Sequence, residues 1–199
     1  MKNTNKLYIA YGSNLHLGQM EFRCPYATPL GTTELEGYRL LFRGGGSGNA
    51  VATVEPMEGS SVPVLLWEIT PRDEEALDHY EGWPRLYRKE TVTVKHKGKA
   101  AEAMVYIMND IYPLGLPGDY YLGIIKEGYE SAGFDFSVLD EAVAASEPRG
   151  QWRAVQIREC YACSHSFSEP AESEDGEDRL FCMERQEYVT EDYCCDDFN

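Results

Sequence analysis

The stretch from Lys6 to Leu15 constrains the fold of this chain more than any other. Lys6 to Tyr11 is short, apolar and aromatic, and it runs directly into Gly12-Ser13-Asn14. That pattern predicts a buried first strand ending in a tight turn. Glycine lets backbone turn or approach a ligand with no Cβ in the way. Ser13 and Asn14 add small donors and acceptors, and successive N–H groups in such a turn make a concave site for a carboxylate or an oxyanion. A plain strand-ending turn satisfies the same residues.

The remaining segments show which architecture the strand joins. Leu17 to Arg23 suits one or two helical turns, closed by Cys24-Pro25. Pro29 to Arg43 alternates through Leu35, Tyr38, Leu40 and Phe42, a strand broken near Gly37. The run Gly44-Gly45-Gly46-Ser47-Gly48 leads into the β-like Ala50 to Val54. A phosphate loop opens a helix instead, so this run reads as a hairpin tip or a lid. Val62 to Ile69 is a buried strand. Thr70-Pro71-Arg72-Asp73-Glu74 then starts a helix, with a capping threonine, an early proline and acids at the positive dipole end. That helix stops at Glu81-Gly82, and Pro84 bars continuation. Tyr87 to Lys95 and Lys99 to Met108 form a hairpin about Lys97-Gly98. Asp119 to Ser131 and Phe136 to Ser146 have helical periodicity. Strands dominate without regular βαβ alternation, which predicts an α+β fold with no internal repeat.

Composition divides the 199 residues. The formal charge is −16, from 34 acidic and 18 basic residues, which argues against nucleic acid or an anionic membrane as partner. No apolar run nears the ~20 residues that span a bilayer, and Met1 to Lys6 does not read as a signal peptide. A cytoplasmic location is expected. From Gln151 onward there are thirteen acidic and four basic residues, so that segment carries −9 of the −16. Five of the six cysteines are there too. This predicts one domain over residues 1–147 and an acidic cysteine-rich tail over 148–199. Without an export signal, clustered cysteines favour metal over disulfides. Cys160, Cys163 and Cys182, with Cys194 or Cys195, would hold one structural zinc, with His165 as a substitute ligand. The acidic tail also suits a protein partner. Cys24 reads as a buried thiol.

Glu81 stands out among the acids. It ends a helix, where the dipole disfavours a carboxylate, and Tyr80, Trp83 and Leu86 flank it. Both features raise a carboxyl pKa towards the range useful for proton transfer near neutral pH. A solvated glutamate at a helix end is the other reading. Ser13 has no Gly-x-Ser-x-Gly elbow, and the four histidines show no metal-ligand spacing.

Three blocks resemble the γ-glutamylcyclotransferase family. They are Tyr11-Gly12-Ser13-Asn14-Leu15 after the first strand, Leu77-Asp78-x-x-Glu81-Gly82 with Tyr87 following, and Pro117-Gly118-Asp119-Tyr120-Tyr121 before a helix. The last is similar to the family's Pro-Ser-x-x-Tyr, with Gly118 where serine is usual. The resemblance covers about residues 6–135 and implies a small mixed, partly closed β-barrel with packed helices. It implies release of 5-oxoproline from a γ-glutamyl amine or peptide by attack of the substrate's own α-amine, with no cofactor. Glu81 would be the general acid/base. Tyr11, Gly12, Ser13, Asn14, Leu15, Tyr87 and Tyr121 would bind substrate, with Tyr120 an alternative to Tyr121. The rival expectation is a non-catalytic module that binds a small amino-acid-like ligand and docks a partner through its acidic tail.

Overall fold

In the structure, a computed structural model, the first strand lies at the centre of a sheet. The structure describes residues 5–44 and 49–147, and the backbone of 166–169, 179–182 and 187–189. Strand β1 (Lys6–Ala10) pairs antiparallel with β3 (Val51–Ile69) on one side. On the other side it runs parallel to β5 (Lys99–Met108). Tyr8, Ile9 and Ala10 are all buried, so both faces of this central strand are covered, which explains why the segment is an apolar run without alternation.

The outer strands are β2 (Thr28–Arg43), paired with β3, and β4 (Tyr87–His96), paired with β5, giving the order β2-β3-β1-β5-β4. The expected break near Gly37 is a register shift between Glu36 and Tyr38 within one continuous strand. β3 is likewise a single strand of 19 residues where the sequence suggested two separate apolar runs. The strand runs on through its polar middle because the ladder to β2 resumes beyond it, with Tyr38↔Pro56 before a register shift and Glu36↔Ser61 after it, and Gly59 takes up the irregularity at φ +80°. A hydrogen-bonded ladder does not depend on the hydrophobicity of the side chains.

β2 and β4 stand at opposite ends of that order and nevertheless touch. Thr33 Oγ1 donates to the Lys95 carbonyl at 2.7 Å, and Lys95 Nζ meets Glu36 at 2.8 Å. The sheet therefore curls towards itself, but its edges meet through side chains rather than a backbone ladder. The mixed α+β fold is as expected, while the sheet is not a closed barrel among the described residues.

Four helices cover it. α1 (Leu17–Arg23) follows the turn Ser13–Leu15, and α2 (Pro71–Tyr80) follows β3. Thr70 and Asp73 form a reciprocal cap on α2: Thr70 N–H donates to Asp73 at 2.9 Å, and Asp73 N–H donates to Thr70 Oγ1 at 3.3 Å. α3 (Asp119–Ala132) buries Tyr121, Ile125 and Tyr129, spaced one helical turn apart. It also crosses the turn at Gly128, where a Cβ would come within 2.6 Å of Leu15 Cβ, so only glycine fits. α4 (Ser137–Ala145) is tied to β2 by Phe42 N–H donating to Ser146 Oγ at 2.7 Å. No helix among the described residues is long and apolar enough to cross a membrane.

Beyond Glu147, three short strands, β6 (Ser166–Glu169), β7 (Arg179–Cys182) and β8 (Glu187–Val189), form a separate antiparallel sheet in that order. Cys182 ends β7 opposite Ser166. The other expected zinc ligands, Cys160, Cys163, Cys194 and its alternative Cys195, lie outside the described residues, as does His165. The glycine run joins two paired strands, as a hairpin tip does, and its residues 45–48 also lie outside.

Candidate active site

The turn after β1 and the end of α2 meet, although 67 positions separate Asn14 from Glu81. The turn's own hydrogen bonds use the N–H groups of Leu15 and His16, which donate to Gly12 O at 2.9 Å and Ser13 O at 3.0 Å. Its first N–H groups, those of Ser13 and Asn14, have no partner within the turn. Gly12 allows the backbone to pass close to β3 and to a side chain of α3, since a Cβ there would sit 3.1 Å from Ala52 Cβ and 3.4 Å from the Tyr121 hydroxyl.

Asn14 is the hub. Its Nδ2 donates to Glu81 Oε1 at 2.9 Å and to the Tyr8 hydroxyl at 2.8 Å, and its Oδ1 accepts from Arg23 Nη1. Ser13 Oγ and the Tyr80 hydroxyl share a hydrogen bond of 2.9 Å. The Arg23 guanidinium lies 3.2 Å above the Tyr80 ring.

Glu81 retains some exposed surface as a residue, yet its carboxyl group is enclosed. Loss of hydration raises its pKa to about 7, against the opposing pull of Arg23 and the Asn14 amide. One of the expected neighbours does not cover it. Trp83 is 46 % exposed, and its ring lies 4.7 Å from the Lys89 ammonium. Five buried tyrosines, Tyr8, Tyr11, Tyr87, Tyr106 and Tyr121, feel the Glu81 charge instead. They come from β1, β4, β5 and α3, elements that only the fold brings around the end of α2. Burial raises the pKa of each, so all five stay neutral around Glu81.

Among the other residues singled out in the sequence, Tyr87 and Tyr121 converge on one residue, Ala52. Tyr87 donates to the Ala52 carbonyl at 2.6 Å, and Tyr121 accepts from the Ala52 N–H at 3.1 Å. Tyr11 is turned towards β5, where its hydroxyl donates to the Tyr106 carbonyl at 2.5 Å. Leu15 is core, packed against Gly128. Tyr120, the alternative to Tyr121, is 52 % exposed. A buried carboxyl group with a pKa near 7, next to polar groups of a tight turn, can both accept and donate a proton near neutral pH.

A family model described as "Gamma-glutamyl cyclotransferase, AIG2-like" matches residues 8–125. The chain belongs to this family. Among solved structures it resembles one titled "Gamma-glutamyl cyclotransferase" at 26% identity and TM-score 0.63, covering 77% of this chain and 95% of that one. An uncharacterized protein from Homo sapiens is similar at 26% identity and TM-score 0.62, covering 77% and 94%. YkqA from Bacillus subtilis shares the fold at 20% identity and TM-score 0.61, covering 74% of this chain and 56% of that one. No curated protein matches the chain. Family membership and fold together support a cyclotransferase-type function.

The site contains residues that sequence reasoning did not select: Tyr8, Arg23, Tyr80, Asp78 and Tyr106. Asp78 could have been found, since it lies in the quoted Leu-Asp-x-x-Glu-Gly block. It accepts from the Tyr106 hydroxyl at 2.5 Å and from Lys89 Nζ at 2.6 Å. No spacing in the chain signals Arg23.

Proposed function

We propose that the protein releases 5-oxoproline from γ-glutamyl amines or peptides, with Glu81 as the general acid/base. The observation that carries this reading is the enclosed Glu81 carboxylate, held at 2.9 Å by Asn14 of the Tyr-Gly-Ser-Asn turn. Glu81 takes a proton from the substrate's α-ammonium group. The freed amine then attacks the γ-carbonyl carbon of the same molecule, forming the five-membered ring and an oxyanion. As the original C–N bond breaks, protonated Glu81 returns its proton to the departing nitrogen, then takes the second proton from the ring nitrogen and passes it on, so that the lactam keeps one N–H and the amine leaves as ammonium. Nucleophile and electrophile share one molecule, so the site has mainly to fold the substrate and move a proton. This balances on the substrate and one carboxylate, without a cofactor.

The polar groups of Ser13 and Asn14, with the N–H groups the turn leaves over, anchor the glutamyl unit or its oxyanion. Gly12 leaves room for that approach. Tyr87 and Tyr121 shape the opposite side through their shared hold on Ala52. The test is incubation of the full chain with a panel of γ-glutamyl compounds carrying a free α-amine, with 5-oxoproline as the readout. Release from at least one compound is the expected result. Binding of several without release from any would overturn the catalytic reading and favour a ligand-binding module.

A further inference from the structure

The proton transfers above leave one charged neighbour of Glu81 without a role. Arg23 is the last residue of α1, and a basic residue there gains a little from the helix dipole in any protein. Its placement is more specific than that. The guanidinium is stacked on Tyr80 at 3.2 Å, and one of its N–H groups reaches Asn14 Oδ1. A guanidinium has donors only, whereas a side-chain amide has two donor hydrogens on one side and an acceptor oxygen on the other. An Asn14 amide that gives its oxygen to Arg23 must turn its nitrogen the other way. Both Nδ2 hydrogens are then used, one on Tyr8 and one on Glu81. The reversed amide would set its oxygen against the Glu81 carboxylate, an arrangement that favours the protonated acid.

We propose that Arg23 is a positioning residue that locks the Asn14 amide with its donors towards Glu81, and so keeps that carboxylate available as a base. This rests on the reading of Glu81 as the acid/base. The groups whose charge couples to Glu81 are Tyr8 in β1 and Tyr11 just after it, Tyr87 from β4, Tyr106 from β5, Tyr121 from α3, and Arg23 with Cys24 at the end of α1. Burial raises the tyrosines, and it pushes the Cys24 thiol up to about 12, so these groups carry no charge near neutral pH. The charge among them is that of Arg23, which acts on Glu81 directly and through the amide.

The experiment follows the ionisation of Glu81 by carboxyl-carbon NMR in the full chain, with the resonance assigned by its loss in Glu81→Gln. The same samples supply a pH profile of 5-oxoproline release. In Arg23→Gln the midpoint of Glu81 should rise by about one pH unit, the lower end of what an adjacent cation contributes. A shift of that size lowers kcat/KM near pH 7 by about fivefold and leaves it nearly restored at about pH 9. Arg23→Lys keeps the charge without the planar fork, so its midpoint should lie between the two. An unmoved midpoint in a folded Arg23→Gln protein would overturn the proposal. Should that variant not fold, the wild type decides, because its Asn14 side-chain N–H signals must shift in step with Glu81. Signals indifferent to that titration would also overturn it. If the midpoint moves while no γ-glutamyl compound is turned over, the Arg23–Asn14–Glu81 linkage stands and the functional reading falls.

Discussion

Asp78 and Glu81 sit three positions apart at the end of the same helix, and the structure gives them opposite surroundings. Asp78 meets a full positive charge, the Lys89 ammonium at 2.6 Å, together with the Tyr106 hydroxyl at 2.5 Å. Lys89 is in turn shared with Glu74 at 2.9 Å, which also meets Lys6 at 2.6 Å. Glu81 meets a neutral amide and has only neutral tyrosines coupled to its charge, with Arg23 one residue further away. A carboxylate paired with an ammonium holds structure together. One that accepts a single amide hydrogen bond in a poorly hydrated site is left near its point of protonation. What separates the two is the donor each one meets, since helix position is nearly the same for both.

Two substitutions, a pH profile and a deletion probe that contrast, beginning with the largest expected effect. Glu81→Gln keeps size and much of the hydrogen bonding but removes proton exchange, and should lower the rate of 5-oxoproline release by ~10²–10⁴-fold. Its affinity for a non-reacting γ-glutamyl analogue, measured by calorimetry, should change far less. Asp78→Asn should do the reverse and act mainly on stability. It leaves Lys89 with Glu74 alone and weakens the Tyr106 bond, so urea unfolding should show a loss of about 2 kcal/mol. Comparable rate losses in the two variants would erase the distinction drawn between the carboxylates.

Of similar size is the effect of pH on stability. The Glu81 carboxyl group has its folded pKa raised from 4.5 to about 7. Between those values the folded protein holds a proton that the unfolded chain has lost, so stability contributed by this group is present below pH 4.5 and lost as pH rises to about 7. Glu81→Gln has no such loss. Thermal melts should therefore show the variant gaining on the wild type across that window, by on the order of 2 kcal/mol at its upper end. Parallel pH profiles for the two proteins would mean that the carboxyl group is not desolvated. The smallest effect on both carboxylates is expected from removing everything after Gly150. The remaining chain should melt cooperatively and keep its activity, while elemental analysis should find about one zinc in the full chain and none in the truncated one. Aggregation of the fragment would make the tail part of the core.

Much of this was legible along the chain because it depends on local chemistry. The first strand and its turn, the cap at Thr70 and Asp73, the stop at Gly82, the Lys97-Gly98 hairpin and both C-terminal helices follow from neighbours a few positions apart. So does the end-of-helix position of Glu81. The continuity of β3 through its polar middle was not legible, since it comes from the ladder to β2 that flanks the middle on both sides rather than from the side chains there. Trp83 shows the limit of reading a residue's surroundings from its sequence neighbours. It lies two positions from Glu81 but is nearly half exposed, whereas the buried tyrosines that feel the carboxylate's charge are at residues 8, 11, 87, 106 and 121.

Sequence by itself determined the family, the α+β class and the two segments that bear the site, because strand periodicity, capping and turn chemistry are short-range effects. Tertiary structure alone decided how the acids divide their roles. Asn14 and Glu81 meet only once β1 has been placed between β3 and β5 and α2 has packed beside the turn. Desolvation and hydrogen bonding act over a few ångströms in space, whatever the separation in the chain. The protonation of Glu81 is accordingly a property of the folded site rather than of the helix that carries it.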